Sequence, residues 1–360
     1  LAGKLGTPYC IAYPAAAEGQ VKFAATQSHA NNTTFGNNVA AMWGYSENGE
    51  GVVLRHLTGV LKIGVVADAS LGEKNLVYAQ VSTIDRTPIA GEFAFDFENG
   101  KLGEPTATAT EVISYSFGEG VLLDTALPTY LHIAVPAGVY QELYVTLYDA
   151  EGGVMYATVK TDATKPLVAG NIREFSNNIA YAANEQVFVV KDVASLKAFA
   201  EQAATLDKDV LFVADVDMSG EEWTPIEGYA GTVRGNGYAI KGLTAPLFGT
   251  TNASIKGLHL RDVAIVTNDD PISAALARTV TANETTIPEI SHCSVSGTLT
   301  VENPTYAAVG AYSGNELVYA GLIARSFGAK VDNCVNNVSV TINTLTKPED
   351  IASIYGFYAG

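Results

Sequence analysis

Basic charge, sulfur and long apolar runs are all scarce in this chain. Lys and Arg total 21 of 360 residues against 38 Asp and Glu, a formal net charge of −17, and charged residues make up only 16% of the chain. Nucleic-acid binding relies on clustered Lys and Arg that displace counterions from phosphate, so this balance excludes nucleic acid as a partner. Anionic lipid is disfavoured for the same reason. The deficit is spread evenly, with 10 basic and 18 acidic residues through Ala183 and 11 and 20 beyond it. Charge therefore marks no interaction arm.

No run of eighteen apolar residues occurs, which excludes a membrane-spanning helix. The three cysteines, Cys10, Cys293 and Cys334, are too few and too scattered for a disulfide framework or a CxxC zinc site. The five histidines, His29, His56, His132, His259 and His292, never approach HExxH spacing. Neither a cofactor nor a bound metal is expected. The chain opens at Leu1 without an initiating Met or secretory leader, and the expectation is a mature or trimmed product.

What is abundant is apolar and small: 48% hydrophobic residues, 34 Gly and 18 Tyr. The apolar segments are short, β-branched and separated by Gly, Asn, Asp and Pro, the punctuation of a β protein. Residues 51–67 read as one long half-buried strand, followed by strands near 75–84, 89–97, 112–117, 129–135, 141–149 and 154–161. Asn99-Gly100 and the run Asp149 to Gly153 supply turns between them. This spacing predicts an antiparallel sandwich over residues 1–183, with residues 1–50 as an irregular lead-in. A single convincing helix is expected at 192–206, with Asp192 as N-cap and Val193, Leu196, Phe199, Ala200 and Ala203 on one face.

Beyond that helix, short segments begin to resemble one another. Ile240-Lys241-Gly242-Leu243 recurs as Ile255-Lys256-Gly257-Leu258, and Ile290-Ser291-His292-Cys293 is matched 41 residues later by Val331-Asp332-Asn333-Cys334. Ala274 to Arg278 and Gly321 to Arg325 form a further matching pair. Repetition with uneven loops predicts stacked rungs, most economically a right-handed parallel β-helix over 184–360 with the helix capping its open end. Cys293 and Cys334 then stack at equivalent rung positions, expected as buried free thiols with a disulfide as the alternative. Residues 352–360 read as the start of another rung.

Two resemblances follow from these residues. Val52 to Ala67, with Leu54-Arg55-His56-Leu57, and residues 146–181, with Ala169-Gly170-Asn171-Ile172-Arg173, resemble the fimbrillin family of surface proteins from Gram-negative anaerobes. Val216 to Gly220, Glu222 to Ile226, Gly235-Asn236-Gly237 and Leu247 to Gly249 resemble the GLUG-type repeats of secreted bacterial adhesins and peptidases. The first resemblance implies a lipoprotein precursor exposed on the outer membrane or fimbria, held to the membrane only through an N-terminal lipid anchor. Fimbrillin polymerisation by strand donation requires cleavage after an Arg before the first strand, and here no Arg precedes Arg55. An anchored or tip-located adhesin is therefore expected over a shaft subunit.

The expected function is non-catalytic adhesion to a surface glycan or protein ligand, with other fimbrial subunits as further partners. The long segments 267–288 and 302–318 are read as variable loops, and the second, with the residue that follows it, supplies the candidate ligand-contact residues Tyr306, Tyr312, Asn315 and Tyr319. The alternative is a polysaccharide lyase or hydrolase, or a glycan-capturing surface protein, using the β-helix face. It would need a fixed carboxylate pair, for which Asp215 and Asp217, with Arg234 one rung on, are the best placed, among Asp207, Asp209, Glu221, Glu222, Asp269 and Asp270. A structural stalk is the third reading. Asp124-Thr125-Ala126 resembles a bacterial O-glycosylation acceptor at Thr125, while the Asn-x-Ser/Thr triplets read as chance matches.

Overall fold

A computed structural model describes residues 8–70, 72–84, 87–175, 177–182, 187–303 and 318–343. The protein is mostly β, with one α-helix among the described residues, and it divides into two compact units, Leu1–Glu185 and Gln186–Gly360.

In the first unit, a five-stranded sheet runs in the order Val154–Val159, Leu143–Asp149, Asn75–Thr83, Val112–Leu122, Thr26–Ser28. All its neighbours are antiparallel except the last pair. A second sheet centres on Thr58–Ala67, which pairs antiparallel with Thr129–Pro136 and, on its other edge, parallel with Ile172–Glu174 and Ile179–Tyr181. The two sheets contribute to one buried cluster that includes Leu61, Ile63, Ile113, Tyr115, Leu131 and Val145. Alternation explains the division of labour: in Gly91–Asp96, Phe93 and Phe95 are buried while Ala94 and Asp96 are exposed.

The opening fifty residues are not the irregular lead-in their composition suggests. Tyr9–Tyr13 pairs with Met42–Ser46, Gln20–Phe23 pairs with Gly91–Asp96, and Thr26–Ser28 joins the five-stranded sheet. These strands are only three to five residues long. That is too short for alternation to stand out from a polar, Ala-rich background. The long strand expected over 51–67 is also shorter than its apolar content suggests. Regular pairing starts at Thr58, and Val53 is 74% exposed.

The second unit is built differently. Val187–Val190, Asp209–Phe212, Thr232–Arg234, Ser254–Lys256, Glu289–Ser291 and Lys330–Asp332 form one sheet, parallel throughout and in chain order. Val216–Asp217, Ala239–Lys241, His259–Asn268, Ser294–Glu302 and Val335–Asn343 form a second, and Phe248–Thr251, Ile272–Thr281 and Tyr319–Phe327 a third. The chain visits the sheets in turn, so the ladder bonds of one circuit are completed by the next. In the first sheet the partners Val210, Val233, Ile255, Ile290 and Val331 are separated by 23, 22, 35 and 41 residues. One apolar cluster runs through all three sheets.

In the circuit from Ile255 to Ile290 the added length is strand and not loop. Segment 267–288, expected as a loop, contains the ten-residue strand Ile272–Thr281, with Ala274, Ala275, Leu276 and Ala277 all buried. A strand covered on both faces loses the period-two alternation that would have identified it. The segment expected to open a further rung at 352–360 lies outside the described residues.

The helix spans Val193–Gln202 and tightens into a 3₁₀ turn, Ala203–Thr205. Asp192 accepts the backbone N–H of Ser195, and the Ser195 hydroxyl receives the N–H of Asp192 in return, closing a capping box. Leu196, Phe199 and Ala203 are buried in the apolar cluster of the parallel sheets.

Candidate functional surface

Several of the carboxylates that would cleave a glycan accept backbone N–H groups or pair with a neighbouring cation. Asp215 Oδ1 accepts the N–H of Ala239 at 2.7 Å, and Asp217 Oδ1 accepts the N–H of Ser219 at 2.9 Å. The hydrogen bonds from Ser219 hold the Asp217 carboxyl below the usual carboxylate range. Arg234 turns to Asp209 at 3.4 Å, while Asp270 accepts the N–H of Ile272 and pairs with Arg278. Glu221 pairs with Lys197. These are loop-ending and ion-pairing roles.

Of the candidate contact residues, Tyr306, Tyr312 and Asn315 lie outside the described residues. Tyr319 begins the strand Tyr319–Phe327, donates its N–H to Pro271 and packs its half-buried ring beside Ile272, Ala274 and Ala324. Thr125 sits in an exposed bend after Asp124, whose carboxylate accepts the N–H groups of Ala126 and Leu127. Those two bonds lower the Asp124 pKa.

Two contacts join residues on neighbouring circuits; the 41-residue repeat aligns His292 with Asn333, whereas no repeat aligns His259 with Ser294. His259 Nδ1 lies 2.7 Å from the Ser294 hydroxyl, 35 positions on, and His292 Nε2 lies 3.5 Å from Asn333 Nδ2. His259 is only 4% exposed, so its contact ties one circuit to the next and presents no nucleophile to solvent.

A regular surface in this unit is the outer face of three long strands, His259–Asn268, Ser294–Glu302 and Val335–Asn343. Register lines up Ala264, Thr298 and Ser339 in one row, Val266, Thr300 and Thr341 in the next, and Asn268, Glu302 and Asn343 in a third. Ile265, Leu299 and Val301, between these positions, face the core. Within these three rows Glu302 is the one charged residue, and it accepts the Asn343 amide at 2.8 Å, while Arg261 and Asp262 are exposed at the start of the first strand. Hydroxyls, amides and methyl groups on a fixed ladder can meet a peptide backbone or a sugar without desolvating an ion. In the first unit, a groove of about 470 Å³ between Leu167, Val168, Ile172 and Phe175 has one carboxylate, Glu174, which pairs with Lys62 at 3.0 Å.

Among the described residues, no group of three His, Cys, Asp or Glu side chains could hold a metal ion, and no helix is long and apolar enough to cross a membrane.

Residues 205–297 match the family model described as the M26 IgA1-specific metallo-endopeptidase N-terminal region. No curated protein matches the chain. The family match overturns the expectations of a fimbrillin relation and of a non-catalytic, non-enzymatic adhesin with fimbrial character, since the matched description belongs to a protease. The degenerate motifs behind the fimbrillin resemblance explain the error. Arg55–His56 is a two-residue strand beside Met42 and Trp43, and Leu54 is 43% exposed, so Leu54 to Leu57 opens no long strand. The enzyme-side alternative stands closer to the match. The matched segment carries His259 and His292 bonded to Ser294 and Asn333, a donor set that does not fit a peptidase zinc. The chain thus carries, over residues 205–297, a likeness to the N-terminal region of a metallo-endopeptidase.

Proposed function

We propose that this chain is a substrate-engaging region of a metallo-endopeptidase-type protein, and that its second unit holds a protein substrate against the outer face of Ala264, Thr298, Ser339, Val266, Thr300 and Thr341. The observation that carries this reading is the match of residues 205–297 to a protease N-terminal region. The rows Ala264, Thr298, Ser339 and Val266, Thr300, Thr341, which carry no charge, support it, because an extended polypeptide can lie along fixed hydroxyls and methyl groups at little desolvation cost. Immunoglobulin A1, named in the family description, is the first substrate to test. No step of peptide hydrolysis is assigned to residues of this chain.

The architecture we infer is a β-sandwich over roughly the first half, followed by a right-handed parallel β-helix whose N-terminal end is covered by Val193–Gln202. Three parallel sheets in chain order and a single shared core support the second element. Two sheets on one apolar cluster support the first.

The test is binding of immunoglobulin A1 to the 360-residue chain and to its Thr298→Lys, Thr300→Lys double variant, measured by biolayer interferometry. Two lysines on the central strand of the face are expected to weaken binding at least tenfold, about 1.4 kcal/mol. Unchanged affinity in the folded variant, or no binding by the parent chain, overturns the proposal.

A further inference from the structure

Cys293 and Cys334 lie on consecutive circuits of the second unit. Ser291 pairs with Asp332 on one side of them and Ser294 with Val335 on the other, both at an offset of 41 residues, so Cys293 directly faces Cys334. The N–H of Val335 donates to the carbonyl of Cys293 at 2.9 Å, which fixes the approach of the two backbones. Both thiols are free and both point inward. Each sulfur lies within 3.5 Å of two carbonyl oxygens, Cys293 of those of Ile255 and Ser291, and Cys334 of those of Ile290 and Asp332. Neighbouring strands run about 4.8 Å apart. A disulfide accepts Cα separations of roughly 4.4–6.8 Å. The backbone therefore stands at bridging distance.

We propose that Cys293 and Cys334 form an oxidisable dithiol that closes into a disulfide across the last two described circuits of the second unit. Their surroundings are unequal. Burial pushes the Cys293 thiol up, whereas the hydrogen bond from Cys293 draws the Cys334 thiol down. Cys334 is also the less enclosed, 7% exposed against 1%. Cys334 therefore attacks first, and Cys293 resolves.

With oxidised glutathione as the oxidant, the Cys334 thiolate attacks one glutathione sulfur and expels glutathione thiolate, leaving a mixed disulfide. The Cys293 thiolate then attacks the Cys334 sulfur and expels the second glutathione. Two protein S–H bonds and the glutathione S–S bond are lost. One protein S–S bond and two glutathione S–H bonds are gained, with two electrons passing from protein to glutathione. The bridge closes a segment that includes the unusually long fourth step of the ladder, where restraint of the unfolded chain is largest.

Cys10 provides an internal control, because its thiol is exposed. The 360-residue chain is incubated with oxidised glutathione, trapped with an alkylating agent under denaturing conditions, and mapped by peptide mass spectrometry. The expected result is a Cys293–Cys334 cross-linked peptide lacking two hydrogens, together with a glutathione adduct at Cys10, and a melting temperature of the second unit that rises by several degrees. Cys293→Ser is expected to accumulate the mixed disulfide at Cys334. Cys334→Ala is expected to lose the cross-link and leave Cys293 unmodified. Glutathionylation of Cys10 with Cys293 and Cys334 both recovered as alkylated thiols would overturn the proposal, as would a cross-link that forms only in denaturant.

Discussion

The ring of Phe199, on the helix, meets the ring of Tyr229 edge-on, with centroids 5.0 Å apart and planes at 85°. Phe199 also contacts Phe248 at 6.4 Å, and the Tyr229 hydroxyl donates to the carbonyls of Lys208 and Thr232. One helical side chain thereby anchors the helix to the loop before Thr232–Arg234 and to the strand Phe248–Thr251. Phe199→Ala is expected to destabilise the second unit by about 3–5 kcal/mol, the cost of deleting a fully buried ring and leaving its cavity. Urea unfolding followed by tryptophan fluorescence, with Trp223 in this unit, measures it. A loss below about 1 kcal/mol would mean that the helix contributes little to closing the core.

Gly235 tests how tightly adjacent circuits approach. A Cβ there would stand 2.3 Å from the Gly257 carbonyl oxygen and 2.4 Å from the Leu258 Cα, both backbone atoms that cannot swing away. Gly235→Ala is expected to lower stability by about 3 kcal/mol or more, at the upper end for overpacking. Gly118→Ala, where a Cβ meets nothing within 4 Å but the backbone has φ +62°, is expected to cost only the strain of that conformation, about 1 kcal/mol. Thermal melts of the two variants should separate clearly.

Much of this arrangement was legible in the sequence, and the failures have physical causes. The Cys293 and Cys334 repeat marks true equivalents on consecutive circuits, and the capping of the helix by Asp192 was visible as spacing alone. The repeat of Ile240 to Leu243 at Ile255 to Leu258 is of another kind. Lys241 belongs to the second sheet and Lys256 to the first, and the segments share a corner with glycine at positive φ, Gly242 and Gly257. A left-handed corner selects glycine wherever it occurs, so one motif served two places. The outer face and the contact between His259 and Ser294 were hidden because register, and not spacing, brings their residues together.

Acid sensitivity in the first unit should come from histidine. Burial lowers the pKa of both His132 and His29, and His132 also faces the Lys62 ammonium, with His29 opposing and Glu174 favouring its protonation. His132 Nδ1 is buried with no hydrogen-bond partner. A depressed folded-state pKa means that stability is complete above the unfolded value, about 6.5, and falls as pH drops below it because the unfolded chain binds the proton first. His132→Gln is expected to flatten the stability profile between about pH 7 and 5. Identical slopes for parent and variant in urea titrations would assign the sensitivity elsewhere.

A second acid limb should arise in the second unit. Glu289 lies 2.9 Å from Lys256 and 3.5 Å from Lys330, on neighbouring strands. The hydrogen bond from Lys256 holds its pKa below the ordinary value. The stabilisation it contributes is present above about pH 4.3, the unfolded carboxyl value, and is lost as pH falls toward the folded one. Glu289→Gln is expected to reduce the loss of melting temperature between about pH 5 and 3, by a modest amount because the pair is partly exposed to solvent screening.

The central claim is that the outer face of the parallel strands engages a protein substrate. Hydrogen–deuterium exchange of the 360-residue chain, with and without saturating immunoglobulin A1, tests it most directly. The account predicts slowed exchange in Val335–Asn343 and Ser294–Glu302, with the first unit unchanged. Bound immunoglobulin that leaves those two strands unaltered, or protects only the first unit, would contradict it.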